Sequence, residues 1–160
     1  MQHVLEKLAA TNPASEIWWD SSPLIYGKWA DGVLQSAPED KRDPWSDQLS
    51  RLLDPATVAS SGEMGFRGVT TNPPLSLQAI KGDPDRWVSR IRALCNEEPS
   101  ATVEEVYWKI YLEVVRDGAA MIRSVWDASN GLYGFVSGQV DPRCVTDYDA
   151  MLEQALSIAA

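Results

Sequence analysis

Gly68-Val69-Thr70-Thr71-Asn72-Pro73-Pro74-Leu75 is a β-prone run that turns polar, meets two prolines and leads into a helical pattern. Gly134-Phe135-Val136-Ser137-Gly138-Gln139-Val140-Asp141-Pro142-Arg143 follows the same plan further along the chain. A strand of a parallel α/β sheet ends in this way when it delivers polar side chains to its carboxyl end, where such folds bind ligands. Working outward, Glu16 to Asp20 reads as a first strand, Phe66 to Thr71 as a second and Tyr133 to Val140 as a third. The segments between them are helical in pattern, and strands alternating with helices imply a parallel sheet.

Val4, Leu5 and Leu8 sit at helical spacing, which predicts a short helix over residues 2–10, ended by Thr11-Asn12-Pro13. Ser21-Ser22-Pro23 opens a helix to about Gln35, with Pro23 in the first turn, where a missing N–H costs least. Residues 36–64 are polar and contain proline, with a short helix expected around Trp45–Leu53; the stretch 37–64 reads as an insertion over one face of a single domain spanning 1–160. Leu75–Ile80 and Asp85–Leu94 predict two short helices around Gly82-Asp83-Pro84. The clearest helix runs from about Val103 to Trp126 on one apolar stripe, opened by a Thr102/Glu105 capping box. Asp117-Gly118 interrupts that stripe and is expected to bend it. Asn130-Gly131 predicts a turn, and Tyr148, Met151, Leu152, Ala155, Leu156 and Ala159 make the last helix amphipathic.

The formal charge is −9 over 160 residues. An acidic chain repels nucleic acid and anionic lipid, so neither is expected as a partner. A phosphorylated ligand would need locally placed Arg or Lys. Cys95 and Cys144 are far apart and lack CxxC spacing, so a disulfide framework is not expected and a reducing cytoplasm fits. No apolar run approaches the ~18 residues of a membrane span, and the N-terminus has no signal-peptide core. No metal cluster, Cys-His pair or Ser-His-Asp set assembles; His3, the only histidine, lies near a terminus expected to fray. No cofactor is expected.

A strand ending in Asp20, then Gly-Val-Thr-Thr-Asn-Pro at 68–73, then Gly-Phe-Val-Ser-x-Gln-Val-Asp-Pro-Arg at 134–143 resembles the transaldolase family. The likeness runs from about Glu16 to the C-terminus. It implies a partial parallel (β/α) barrel of the TIM type, with about three βα units and extra helices. A whole barrel typically takes about 250 residues. It also implies Schiff-base aldol chemistry on a ketose or ketose phosphate. In that mechanism a lysine forms an imine and an aspartate removes the hydroxyl proton. The lysine belongs to a later strand, so the chain is expected to act as an N-terminal half completed by a second chain, or to self-associate through its sheet edges. A non-catalytic assembly module derived from the same fold is the alternative.

Side chains alternate across a strand. If Asp20 points into the barrel, so does Trp18, while Trp19 meets the helices. If Asn72 points inward, so do Thr70, Gly68 and Phe66. If Gln139 points inward, Ser137 and Phe135 join it. The resemblance makes Asp20 the proton-transfer residue; the plainer reading is an N-cap before Ser21-Ser22-Pro23. Asn72 is the implied substrate ligand, and otherwise a turn residue ahead of Pro73. Thr70 and Ser137 are weaker substrate-binding candidates. Most transaldolases carry glutamate where Gln139 stands, and fructose-6-phosphate aldolase relatives carry glutamine. Gln139 can orient water but not relay a proton, which leaves transfer and simple aldol cleavage both open; it also reads as a buried amide holding the rim. Lys7, Lys28, Lys41, Lys81 and Lys109 lie outside the strand cores, where desolvation would make an amine nucleophilic.

Overall fold

The β-prone runs form one parallel sheet of three short strands, β1 (Ile17–Asp20), β2 (Phe66–Thr70) and β3 (Phe135–Ser137), in the order β1-β2-β3. The structure is a computed structural model and describes residues 4–60 and 63–159, so His3 lies outside the described residues. The helices in chain order are α1 (Val4–Thr11), α2 (Tyr26–Ser36), α3 (Arg42–Arg51), α4 (Pro55–Ala59), α5 (Pro73–Gly82), α6 (Pro84–Glu97), α7 (Val103–Met121), α8 (Arg123–Ala128) and α9 (Tyr148–Ala159). The chain is thus α/β, mostly helical around a three-stranded parallel sheet, as one sector of a TIM-type fold would be. Both outer strands are paired on one side only among the described residues.

The helix-facing side of the sheet carries the larger core. Trp19 and Val69 are buried there with Val58 of α4, Val125 of α8 and Ile122. Trp19 meets Tyr26 edge-on with ring centres 5.3 Å apart, and Phe66 lies parallel to it at 5.8 Å. That position of Phe66 corrects the expectation from simple alternation, which put it inward with Gly68 and Thr70. The cause is an irregular register: Ile17 pairs with Phe66 but Trp18 pairs with Gly68, so Arg67 is one residue too many on β2. Such a bulge reverses the parity before it and leaves the parity after it untouched. A second cluster, Ala79, Trp87, Leu94, Ile110 and Val114, joins α5, α6 and α7.

Residues between α2 and β2 supply Leu49, Leu52 and Val58 to the buried set, and the Phe66 N–H donates to the Leu52 carbonyl at 2.7 Å. The Thr102/Glu105 capping box opens α7 as expected. Helix α7 runs without interruption through Asp117-Gly118, where a bend was expected, to Met121. The break falls at Ile122 (φ −105°, ψ 14°), which separates α7 from α8. Gly118 serves packing instead. A Cβ there would stand 3.1 Å from Cδ of Pro23, so the bare Cα lets α7 approach the turn after β1.

β3 is shorter than the Tyr133–Val140 span expected of it. Beyond Ser137 the amides of Gln139 and Asp141 are taken by side chains, not by β2. A cleft of about 770 Å³ follows the open side of β3, lined by Leu112, Val115, Arg116, Phe135, Val136 and Ile158 among others. Among the described residues no helix is long and apolar enough to cross a membrane.

Candidate active site

Parallel pairing without further slips sets two rows of side chains across the inner face. Trp18, Gly68 and Phe135 are register partners in one row; Asp20, Thr70 and Ser137 are partners in the next, at the carboxyl ends of the strands. Neighbouring strands lie about 4.8 Å apart, so three polar groups stand within reach of one small ligand. The Thr70 hydroxyl donates to an Asp20 carboxylate oxygen at 2.8 Å. Asp20 does not cap the turn that follows it; the residue in that place is Ser22, which makes no side-chain cap bond. The carboxylate therefore keeps acceptor capacity facing the inner side.

The lower row forms an apolar floor. Trp18 lies across Gly68, where an added Cβ would come within 2.5 Å of the indole. Its Nε1–H donates to Glu16 at 2.8 Å, which fixes the ring edge. Trp18 and Phe135 remain 38% and 47% exposed, large values for aromatic rings on a sheet face. An apolar platform topped by hydroxyl and carboxylate groups matches a polyhydroxylated carbon chain, with C–H bonds on one side and hydroxyls at the other.

Asn72 follows β2 and is the N-cap of α5, its side-chain oxygen accepting from the Leu75 N–H at 3.0 Å. The turn role considered for it is therefore real, and its Nδ2 donors and the second lone pair of its oxygen are left for a ligand. Gln139 is exposed and stands past the end of β3. Its N–H donates to the Tyr111 hydroxyl at 2.6 Å, while its side-chain amide makes no hydrogen bond among the described residues. Residues Asp20, Thr70 and Ser137 are thus brought together directly, and Asn72 and Gln139 flank them on the segments that leave β2 and β3.

Asp141-Pro142-Arg143 forms the expected turn and ion pair. Asp141 is buried and accepts from the Arg143 backbone N–H at 2.8 Å and from its guanidinium. The guanidinium, and then that N–H, hold the Asp141 carboxyl below its usual range. Arg143 also donates to Glu104 at 2.6 Å, and its own pKa is pushed up by Asp141 first and Glu104 second. None of the five lysines lies on a strand; Lys109 is paired with Glu98, Lys41 with Asp40, and Lys28 bonds the Gly82 carbonyl. Among the described residues no group of three His, Cys, Asp or Glu side chains is placed to hold a metal. Tyr111 was not distinguishable from its apolar stripe by pattern. The one available signal was its hydroxyl, which needs a partner when buried.

Residues 47–160 match the family described as Transaldolase/Fructose-6-phosphate aldolase. Transaldolase 2 of Streptomyces avermitilis is 37% identical over 119 residues, covering 72% of this chain and 31% of its own length. Transaldolase 1 of Streptomyces coelicolor is 32% identical over 130 residues, covering 80% of this chain and 33% of its own length. The transaldolase of Trichodesmium erythraeum is 29% identical over 114 residues, with 70% and 29% covered. The chain spans about a third of the length of these relatives. No solved structure matches it.

Proposed function

Because the chain belongs to the transaldolase/fructose-6-phosphate aldolase family, we propose that it forms the three-strand sector of an aldol-type site for a ketose or ketose phosphate. The observation that carries this reading is the registered row Asp20–Thr70–Ser137 above the Trp18–Phe135 floor. Asp20 takes the proton of the substrate hydroxyl as the neighbouring carbon–carbon bond breaks. The released electron pair moves into an imine made from the ketose carbonyl. Thr70 orients the Asp20 carboxylate through its hydrogen bond. Ser137 and the Nδ2 of Asn72 hold substrate hydroxyls, and Gln139 orients water for imine hydrolysis.

The imine needs a desolvated amine, and no lysine of this chain offers one. The amine then comes from a further strand of the barrel, which a second polypeptide can supply. The open edge of β3 with its apolar cleft supports that arrangement. The open edge of β3 equally suits the alternative, a non-catalytic assembly module on this fold.

The test is reconstitution with a polypeptide carrying the remaining βα units of a family member. Cleavage of fructose 6-phosphate should appear only in the mixture, and borohydride should trap the sugar on the added chain. Asp20→Ala should leave assembly intact and lower turnover by the roughly 10²–10⁴-fold typical of a lost general acid/base. A stoichiometric adduct on a lysine of the present chain would overturn the proposal. Assembly without any turnover would leave the module reading in its place.

A further inference from the structure

Gln139 stands on a segment that β2 does not hold. Its amide donates to Tyr111 Oη of α7 at 2.6 Å, and two residues on the Asp141 amide donates to Gln154 Oε1 of α9 at 2.7 Å. Ile158 of α9 closes on Gly138 so tightly that a Cβ there would come within 2.7 Å of its Cγ2. Arg143, tied to Asp141, reaches back to Glu104 in the first turn of α7. Tyr111 is a firm anchor: it is 1% exposed, with the Trp108 ring edge-on at 5.3 Å and the Tyr107 ring stacked at 6.3 Å. Burial also raises its pKa, so the phenol stays neutral at working pH.

We infer that Tyr111 and Gln154 are positioning residues that clamp the rim segment after β3. Their side-chain oxygens stand where the carbonyls of a neighbouring strand would otherwise accept. The free side-chain amide of Gln139 has nothing else to place it, so the position of its Cα, set by Tyr111, decides what it can reach. The functional half of this inference rests on the ketose site proposed above; the clamp rests on the geometry alone.

Amide exchange of the 160-residue chain, read residue by residue by NMR, separates the two. Tyr111→Phe should speed exchange at Gln139 by at least about tenfold and leave Val69 and Val114 unchanged. Gln154→Ala should do the same at Asp141. Fructose 6-phosphate should shift the wild-type amides of Asp20, Thr70, Ser137 and Gln139. In Tyr111→Phe the shifts at Asp20 and Thr70 should persist and that at Gln139 should vanish. Unaltered exchange at Gln139 in Tyr111→Phe overturns the clamp. An equal sugar-induced shift at Gln139 in both proteins overturns the positioning role. A wild-type chain that shows no sugar-induced shift refutes the ketose site, and the exchange data still decide the clamp. Should Tyr111→Phe fail to fold, Tyr111→Leu, which also lacks the acceptor, carries the Gln139 comparison, and Gln154→Ala decides the clamp, where no faster exchange at Asp141 overturns it.

Discussion

Trp18 and Trp19 are neighbours in sequence on opposite faces of β1, and truncating each in turn tests the whole assignment of faces. Trp19 is 9% exposed and Trp18 is 38% exposed. With about 200 Å² per indole side chain and about 25 cal/mol per Å², that difference alone separates Trp19→Ala from Trp18→Ala by about 1.5 kcal/mol. Trp19 also leaves a cavity among Tyr26, Trp29 and Phe66, whereas Trp18 borders open solvent. Large-to-small changes of this kind in a core cost about 3–5 kcal/mol in total. Trp19→Ala should therefore lower the urea midpoint by about 2 M at an m-value near 2 kcal/mol/M, and Trp18→Ala by about 1.2 M at most. Far-UV circular dichroism is the suitable readout, because it does not depend on tryptophan emission. Equal losses in the two variants, or a Trp19→Ala cost under about 1 kcal/mol, would refute the argument, the second outcome because it contradicts burial against the helices. A Trp18 cost that grows with protein concentration would show the inner face being covered by another chain.

Asp54, Glu105 and Asp141 all have lowered pKa values, held down chiefly by backbone hydrogen bonds to Thr57 and Thr102 and by the Arg143 guanidinium respectively. Their contribution is present above the ordinary carboxylate range, about pH 4, and is lost as pH falls through the folded-state values, so the melting temperature should be flat above about pH 5 and drop below 4; a decline that starts at pH 6 would implicate other groups. Gly118→Val should cost about 1–3 kcal/mol by forcing α7 off Pro23, and an unchanged thermal melt would show that the two do not press together in solution. The inner face leaves Trp18 and Phe135 partly exposed, and the outer strands are paired on one side only among the described residues, which invites pairing with another chain. Sedimentation at micromolar concentration should accordingly show self-association, and a compact monomer with a sharp cooperative melt would contradict that.

The strands, their parallel order and the polar rim were legible because each signal is local and repeated. Asp20, Thr70 and Ser137 each follow an apolar, outward-facing residue of their own strand, and one alternation rule places them on a common face. Phe66 escaped that rule because a single extra residue at Arg67 has no mark in composition; it shows only in the pairing with β1. Asp117-Gly118 was read as a bend because it interrupts the apolar stripe, whereas what decides at Gly118 is the proximity of Pro23, ninety-odd residues earlier in the chain. The early end of β3 depends on Tyr111 and Gln154, two side chains from different helices, and no window of sequence brings them to Gln139 and Asp141. Asn72 was legible as a turn former ahead of Pro73, and the structure shows its oxygen capping α5.

The hydrogen bond between Thr70 and Asp20 joins residues 50 positions apart. Parallel strands cannot meet through a tight turn, so this contact closes a loop that spans α2, α3 and α4, and the pairing of Ser137 closes one that spans α5 to α8. Loop closure of this kind is entropically unfavourable until the contacts form, and it slows folding. The polar row is therefore expected to form late in folding. Helix α7, with its capping box and local contacts, can organise early, but it carries no chemistry by itself. Partly folded chains will show helix by circular dichroism while lacking any trace of the site, and ligand recognition will report complete assembly of the sheet.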